Sequence, residues 1–322
     1  MYVQLGPWPR WTSFLLQSAA TNVALTFYFI GSSQLDMGAC ANCAWLPVSD
    51  ALLRQRMVAH LGLPDPRREL SGRKLCDLKP MWPALMPELV RRHEWVGFAD
   101  SDIVFGNLSA EVARLRPEDE LLVPQAFYPQ PLANGNLLLM RTVPKMILAF
   151  QRSPRWKAAA LSGYYQAFDE WGHAESEWGA STMAKVYLDM LLEENLRARP
   201  TAGFFVQDTI VIQGRSYPTI DSHNARVNVT WRAGTLTVER DGPCVCPHDV
   251  VPQLALSMCP QCLFSPGAVL SSTRMRRRVD AVGFHFQGWK RKQEFRRSTA
   301  MGCEGGYAGG FRVEPLTGFK CL

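Results

Sequence analysis

The stretch WVGFADSDIVFGNL, Trp95 to Leu108, sets two carboxylates one residue apart inside an otherwise apolar run. Apolar side chains on both faces of a short segment mark a strand covered on two sides, and Trp95, Val96, Phe98, Ile103, Val104 and Phe105 supply them. Such a strand belongs inside a layered domain. Asp100 and Asp102 break the pattern, because like charges this close oppose each other's ionisation and desolvation adds to the cost. Two arrangements relieve it. The pair sits at a solvated strand end, where one aspartate caps the next turn, or a divalent cation lies between them.

A chain of 322 residues, 47% hydrophobic and 20% charged, can bury a sizeable core as one large α/β domain or two smaller ones. The net charge of +6 is modest, and the basic residues cluster late, at Arg274, Arg276, Arg277 and Arg278 and again from Lys290 to Arg297. These runs suit a solvated face or an anionic ligand such as a diphosphate. No aromatic-interleaved motif accompanies them, so nucleic acid is not an expected partner. The most apolar N-terminal stretch, Phe14 to Ile30, is interrupted by Gln17, Ser18, Thr21 and Asn22, so no membrane span is expected. It reads as a helix ending near Ala20 and a strand from Val23 to Phe29. A signal peptide is not expected either, since the first residues are not basic, although an anchor upstream of Met1 is compatible with the sequence.

Nine cysteines are present, and CVCPHDVVPQLALSMCPQC joins a C-x-C to a C-x-x-C. Cys244, Cys246, Cys259 and Cys262 are compatible with a structural zinc or with disulfides pinning an insertion over 240–267. The disulfide reading points to an oxidising compartment, the secretory pathway or Golgi lumen, rather than to cytoplasm.

Helical and strand patterns alternate, as in a mostly parallel sheet flanked by helices. A helix is expected from about Asp50 to Leu61, then short helical pieces broken by prolines before the Asp-x-Asp strand. Strands are expected at Glu120 to Val123 and Asn136 to Met140. Met183, Val186, Tyr187, Met190 and Leu191 form the stripe of an amphipathic helix. A strand pair, Val227 to Trp231 and Thr235 to Glu239, turns at Ala233-Gly234, and Val282 to Gln287 is a last apolar strand. Residues 301–322 read as a Gly-rich tail.

Five blocks then carry a resemblance. KLCDLKP (Lys74 to Pro80), FADSDIVFGNL (Phe98 to Leu108), ANGNLLLMR (Ala133 to Arg141), FDEWG (Phe168 to Gly172) and FHFQGWK (Phe284 to Lys290) occur in this order. The chain resembles a family of GT-A-type, DXD-containing glycosyltransferase-like proteins from about Gly6 to Lys290. The resemblance implies an α/β, GT-A-like single domain over 1–300, its first strand reduced to MYVQL. It also implies a transferase that moves a sugar from a UDP- or GDP-sugar to a glycan, lipid or protein hydroxyl, with Mn²⁺ or Mg²⁺ as cofactor.

By the same resemblance Asp102 binds the metal directly, Asp100 reaches the ribose or a metal-bound water, and His285 completes the metal site. Lys290 contacts the diphosphate, and Lys74 and Asp77 contact the nucleotide sugar. Hard carboxylate oxygens suit these ions on chemical grounds as well. An inverting transfer also needs a carboxylate base beside the acceptor hydroxyl, and Asp169 or Glu170 is the candidate. Asn134 and Asn136 line the acceptor side. Each has a plainer counterpart: a core histidine at 285, a surface Lys74–Asp77 pair, turn chemistry at the asparagines. Two other functions fit parts of the pattern. FADSDIV also suits a haloacid-dehalogenase-type phosphatase, and a non-catalytic sugar- or nucleotide-binding protein would keep the same fold.

Overall fold

A computed structural model of the chain describes residues 1–66, 70, 72–126, 135–169, 182–207, 209–212, 215–218, 226–245, 269–285, 311–314 and 318–321; beyond 202, side chains are described only at 229–237 and 281. The chain begins with β1 (Tyr2–Gln4), α1 (Thr12–Ala20), β2 (Phe27–Gly31), β3 (Cys43–Pro47) and α2 (Asp50–Leu61). The single turns α3 (Lys74–Asp77), α4 (Trp82–Leu85) and α5 (Pro87–Val90) lead to β4 (Trp95–Ala99) and β5 (Ile103–Phe105). Then come α6 (Leu108–Ala113), β6 (Leu121–Ala126), β7 (Leu137–Arg141), α7 (Pro144–Ile147), α8 (Trp156–Leu161) and α9 (Met183–Glu194). The described residues beyond α9 form β8 (Ala198–Gln207), β9 (Thr209–Ile212), β10 (Arg215–Pro218), β11 (Arg226–Arg232), β12 (Thr235–Val245), β13 (Val269–His285), β14 (Phe311–Glu314) and β15 (Gly318–Cys321).

The architecture is mixed α/β, and the sheets correct the expectation of a mostly parallel core. Strands β1, β2 and β3 make a small sheet that is parallel throughout. The large sheet runs β15-β14-β11-β12-β13-β8-β6-β7-β4, with β5 paired to β13. Among the described residues only β13–β8 and β6–β8 are parallel in it, and the other pairings are antiparallel. Composition resembles that of a parallel sheet because the central strands are covered on both faces. In β7, Leu138 and Met140 enter the cluster around Trp82, Phe98 and Tyr187, while Leu137 and Leu139 enter the one around Phe29, Ile103 and Phe105.

Local signals explain the element ends. Ser49 caps α2 by accepting from the Leu52 N–H, and Gly62 ends it in the left-handed conformation at φ 62°. Pro80, Pro83 and Pro87 each sit in the first turn of a short helical piece, which keeps 74–90 from forming one helix. Ala233 and Gly234 both have positive φ, as a two-residue hairpin turn requires, and join β11 to β12. The strand expected at Val23 begins at Phe27 instead. The Asn42 amide donates to the carbonyls of Ala19, Asn22 and Leu25, holding those residues in a turn and leaving Val23 78% exposed.

The Asp-x-Asp segment is likewise two strands, not one. β4 pairs with β7, whereas β5 pairs with β13, so residues 100–102 are the step between two places in the sheet. Side chains of neighbouring elements fix β5 in place. Ser18 accepts from the Phe105 N–H at 3.1 Å, the Trp231 indole donates to the Phe105 carbonyl at 2.9 Å, and Asn22 bonds both the Gly106 carbonyl and the Ser109 N–H. A Cβ on Gly106 would lie 2.0 Å from the Ala281 carbonyl oxygen, so this close strand approach needs glycine. Cys40 and Cys43 form a disulfide. Cys246, Cys259 and Cys262 lie outside the described residues, and Cys244 is described only as backbone in β12.

Candidate functional site

The step from β4 to β5 takes Asp102 out of solvent and leaves Asp100 half-buried. Asp102 is 3% exposed and the Asp100 side chain 18%. The cation facing Asp100 belongs to the protein. Lys79, on the 3-10 turn Lys79–Met81, puts its Nζ 2.6 Å from Asp100 Oδ1, 2.7 Å from Asp169 Oδ2 and 2.8 Å from the Gly135 carbonyl oxygen. Lys79 is itself 3% exposed. Burial opposes its charge, but Asp100 and Asp169 outweigh burial and hold its pKa well above that of an ordinary lysine. Burial, and after it the charge of Asp100, pushes up the pKa of the Tyr2 phenol.

The same centre gathers the turn before β7. The Asp100 N–H donates to the Asn136 carbonyl at 2.9 Å, so the Asp-x-Asp step and the turn Gly135–Asn136 are bonded by backbone as well as through Lys79. Gly135 is packed so closely that a Cβ there would lie 2.6 Å from Asp169 Oδ2 and 2.9 Å from the Asp169 carbonyl oxygen. Tyr165 donates to Asp169 Oδ1 at 3.4 Å.

Lys74 and Asp77 form an ion pair at 2.9 Å, but inside the protein rather than on its surface. Asp77 accepts from the Gln166 and Phe168 N–H groups at 2.8 and 2.9 Å, and Lys74 donates to the Ala159 and Tyr164 carbonyls. Together they clamp the segment that delivers Asp169. Burial lowers the pKa of Lys74, and its one carboxylate offsets this only in part, the reverse of Lys79 with two.

His285 enters by backbone. In β13 it pairs with Ile103, the residue after Asp102, and with Gln207 of β8. Glu170, Lys290 and Asn134 lie outside the described residues. Sequence reasoning missed Lys79. The signal that could have found it is the one that marked Asp100, a charge inside an apolar run, here Leu78, Pro80, Met81 and Trp82. Among the described residues no three His, Cys, Asp or Glu side chains come together as a metal cluster. In kind, the two carboxylates are oxygen donors of the sort that suits Mn²⁺ or Mg²⁺.

The sequence model of a family described as of unknown function (DUF6625) matches residues 1–237, which include Lys79, Asp100, Asp102 and Asp169. The chain belongs to this family. No curated protein sequence matches it. Among solved structures, mouse xyloside xylosyltransferase 1 in its apo form is similar at 10% identity and TM-score 0.32, covering 64% of this chain and 87% of that one. The galactosyltransferase LgtC, in complex with donor and acceptor sugar analogues, is similar at 11% identity and TM-score 0.31, covering 64% and 76%. Likeness this weak assigns neither fold nor activity.

Proposed function

We propose that this member of the family is a GT-A-type glycosyltransferase, moving a sugar from a UDP- or GDP-sugar to the hydroxyl of a glycan, lipid or protein with a divalent ion, Mn²⁺ or Mg²⁺. The observation that carries the reading is the Asp-x-Asp step between β4 and β5, with Asp102 buried and Asp100 half-buried, and His285 registered beside Ile103. Asp102 and His285 would hold the ion, which when bound stabilises charge on a departing diphosphate. Asp100, its Oδ1 already turned to Lys79, takes the outer role towards ribose or a metal-bound water. In this reading Lys290 would contact the diphosphate, and Asn134 and Asn136 would contact the acceptor.

The proton of the acceptor hydroxyl needs a base that can reach it. Asp169 is fully buried and its Oδ2 is bonded to Lys79, so its role in this reading is to orient, and the base is Glu170. Lys74 and Asp77 support the site indirectly, through the backbone of the segment they clamp.

The test is a melting-temperature screen of UDP and GDP with Mn²⁺. Nucleotide at a hundred times its dissociation constant stabilises the fold by about 2.7 kcal/mol. A shift that requires metal is expected. Equal shifts in EDTA, or none with either nucleotide, would end the proposal.

A further inference from the structure

We infer that Lys79 is the positioning residue of the site, a single ammonium that fixes the Asp-x-Asp step, the turn at Gly135 and the Asp169 segment in one arrangement. An ammonium has three hydrogens, and three acceptors surround this one at 2.6, 2.7 and 2.8 Å: Asp100 Oδ1, Asp169 Oδ2 and the Gly135 carbonyl oxygen. No hydrogen is left for a ligand. Lys79 therefore acts on other residues and not on a bound phosphate or sugar.

Stability alone does not call for this arrangement. Lysine is almost never fully buried without partners, and a buried ion triad is often replaced by apolar side chains with no loss of stability. What an apolar replacement could not do is define where the three segments lie relative to one another. Lys79 comes from the turn before α4, Asp100 from the end of β4, Gly135 from the entry to β7, and Asp169 from the segment clamped by Asp77. The ammonium is the point at which all four meet. Asp100 is also held by its N–H bond to the Asn136 carbonyl, so its backbone is bonded directly to the turn whose Gly135 carbonyl shares Lys79 with its side chain. Only the purpose of this positioning, nucleotide binding, rests on the transferase reading.

The test uses the full chain with Lys79→Met, Asp169→Asn and the two combined. Lys79→Met alone leaves two carboxylates without their ammonium and should melt well below wild type. Adding Asp169→Asn removes one of those charges and should restore most of the lost melting temperature. Hydrogen exchange without ligand then distinguishes positioning from charge balance. In the double variant the Asp100 amide and its neighbours at 135–137 should exchange at least about tenfold faster, whereas Asp169→Asn alone, which keeps Lys79 on Asp100 and Gly135, should stay within about threefold of wild type. Apparent UDP affinity with Mn²⁺ should fall at least about tenfold in the double variant, as expected when a site loses its orientation.

Unchanged exchange in the restored double variant would overturn the inference, because Lys79 would then only balance Asp169. Faster exchange with unchanged UDP affinity would overturn it too. If wild type itself shows no metal-dependent response to UDP or GDP, the transferase reading fails separately. The exchange result then decides the inference alone: faster exchange upholds it and unchanged exchange overturns it.

Discussion

Gly135→Ala tests how tightly the centre is packed. Gly135 does not have positive φ, so alanine introduces no backbone strain there and the new methyl group is the whole perturbation. That methyl would lie 2.6 Å from Asp169 Oδ2, 2.9 Å from the Asp169 carbonyl oxygen and 3.1 Å from its Cγ. Contacts this short must relax. The carboxylate cannot swing aside without leaving Lys79, and the carbonyl cannot move without displacing the segment tied to Asp77 through the Phe168 N–H. Overpacking of this kind costs about 1–3 kcal/mol. At roughly 2–4 °C per kcal/mol for a large domain, the melting temperature should fall by roughly 2–12 °C. Differential scanning fluorimetry with far-UV circular dichroism reads the change and shows that secondary structure survives. Gly106→Ala, whose Cβ would meet a backbone oxygen at 2.0 Å, should cost more. A Gly135→Ala protein melting within about 1 °C of wild type would show that Asp169 is not packed against this turn, and the description of the centre would be wrong.

Asp77→Ala should destabilise by about 3–5 kcal/mol in urea unfolding, since it strands the buried Lys74 ammonium and the N–H groups of Gln166 and Phe168; an unchanged midpoint would refute the clamp. Asp102→Asn should leave folding little changed or eased while metal-dependent transfer drops by about two to four orders of magnitude. Retained turnover would remove Asp102 from the site. His93 supplies a pH dependence away from the site: burial, and then Arg92, lower its pKa below the ordinary value of 6.5, while its ring meets the Tyr28 hydroxyl at 2.9 Å. A depressed folded pKa means that the unfolded chain takes up the proton first, so this contribution is complete above pH 6.5 and is lost as pH falls through and below it. His93→Gln should flatten that part of the stability profile, and an unaltered profile would exclude His93 as its source.

What the sequence revealed was largely what its neighbours along the chain decide. The bounds of α2 follow from Ser49 and Gly62, the β11–β12 hairpin from Ala233-Gly234, and the broken helices from three prolines. Strand direction was not legible, because apolar runs covered on two faces look alike whether their partners run parallel or antiparallel. Nor was the division of the Asp-x-Asp run into β4 and β5, which depends on β13 reaching Ile103 from the far end of the chain. Asp100 and Asp102 stood out because charge is rare in such surroundings. Lys79 carried a similar mark, but a lysine beside proline reads as surface until the carboxylates from two distant segments are brought to it.

The pairing of β5 with β13 has a consequence for the order of events at the ribosome. Ile103 leaves the exit tunnel long before its partner His285 has been made, and at about 5–20 residues per second the interval is roughly ten to forty seconds. Through that interval β5 has no strand partner on this side, and β8, once it is made in the second half of the interval, also waits for β13 with its edge bare. Residues 1–237 end inside β12, before β13 begins, so a chain stopped there would keep both edges open permanently. The matched portion of this chain thus depends on a later strand to close it, and until that strand arrives its bare edges are open to edge-to-edge pairing with other chains.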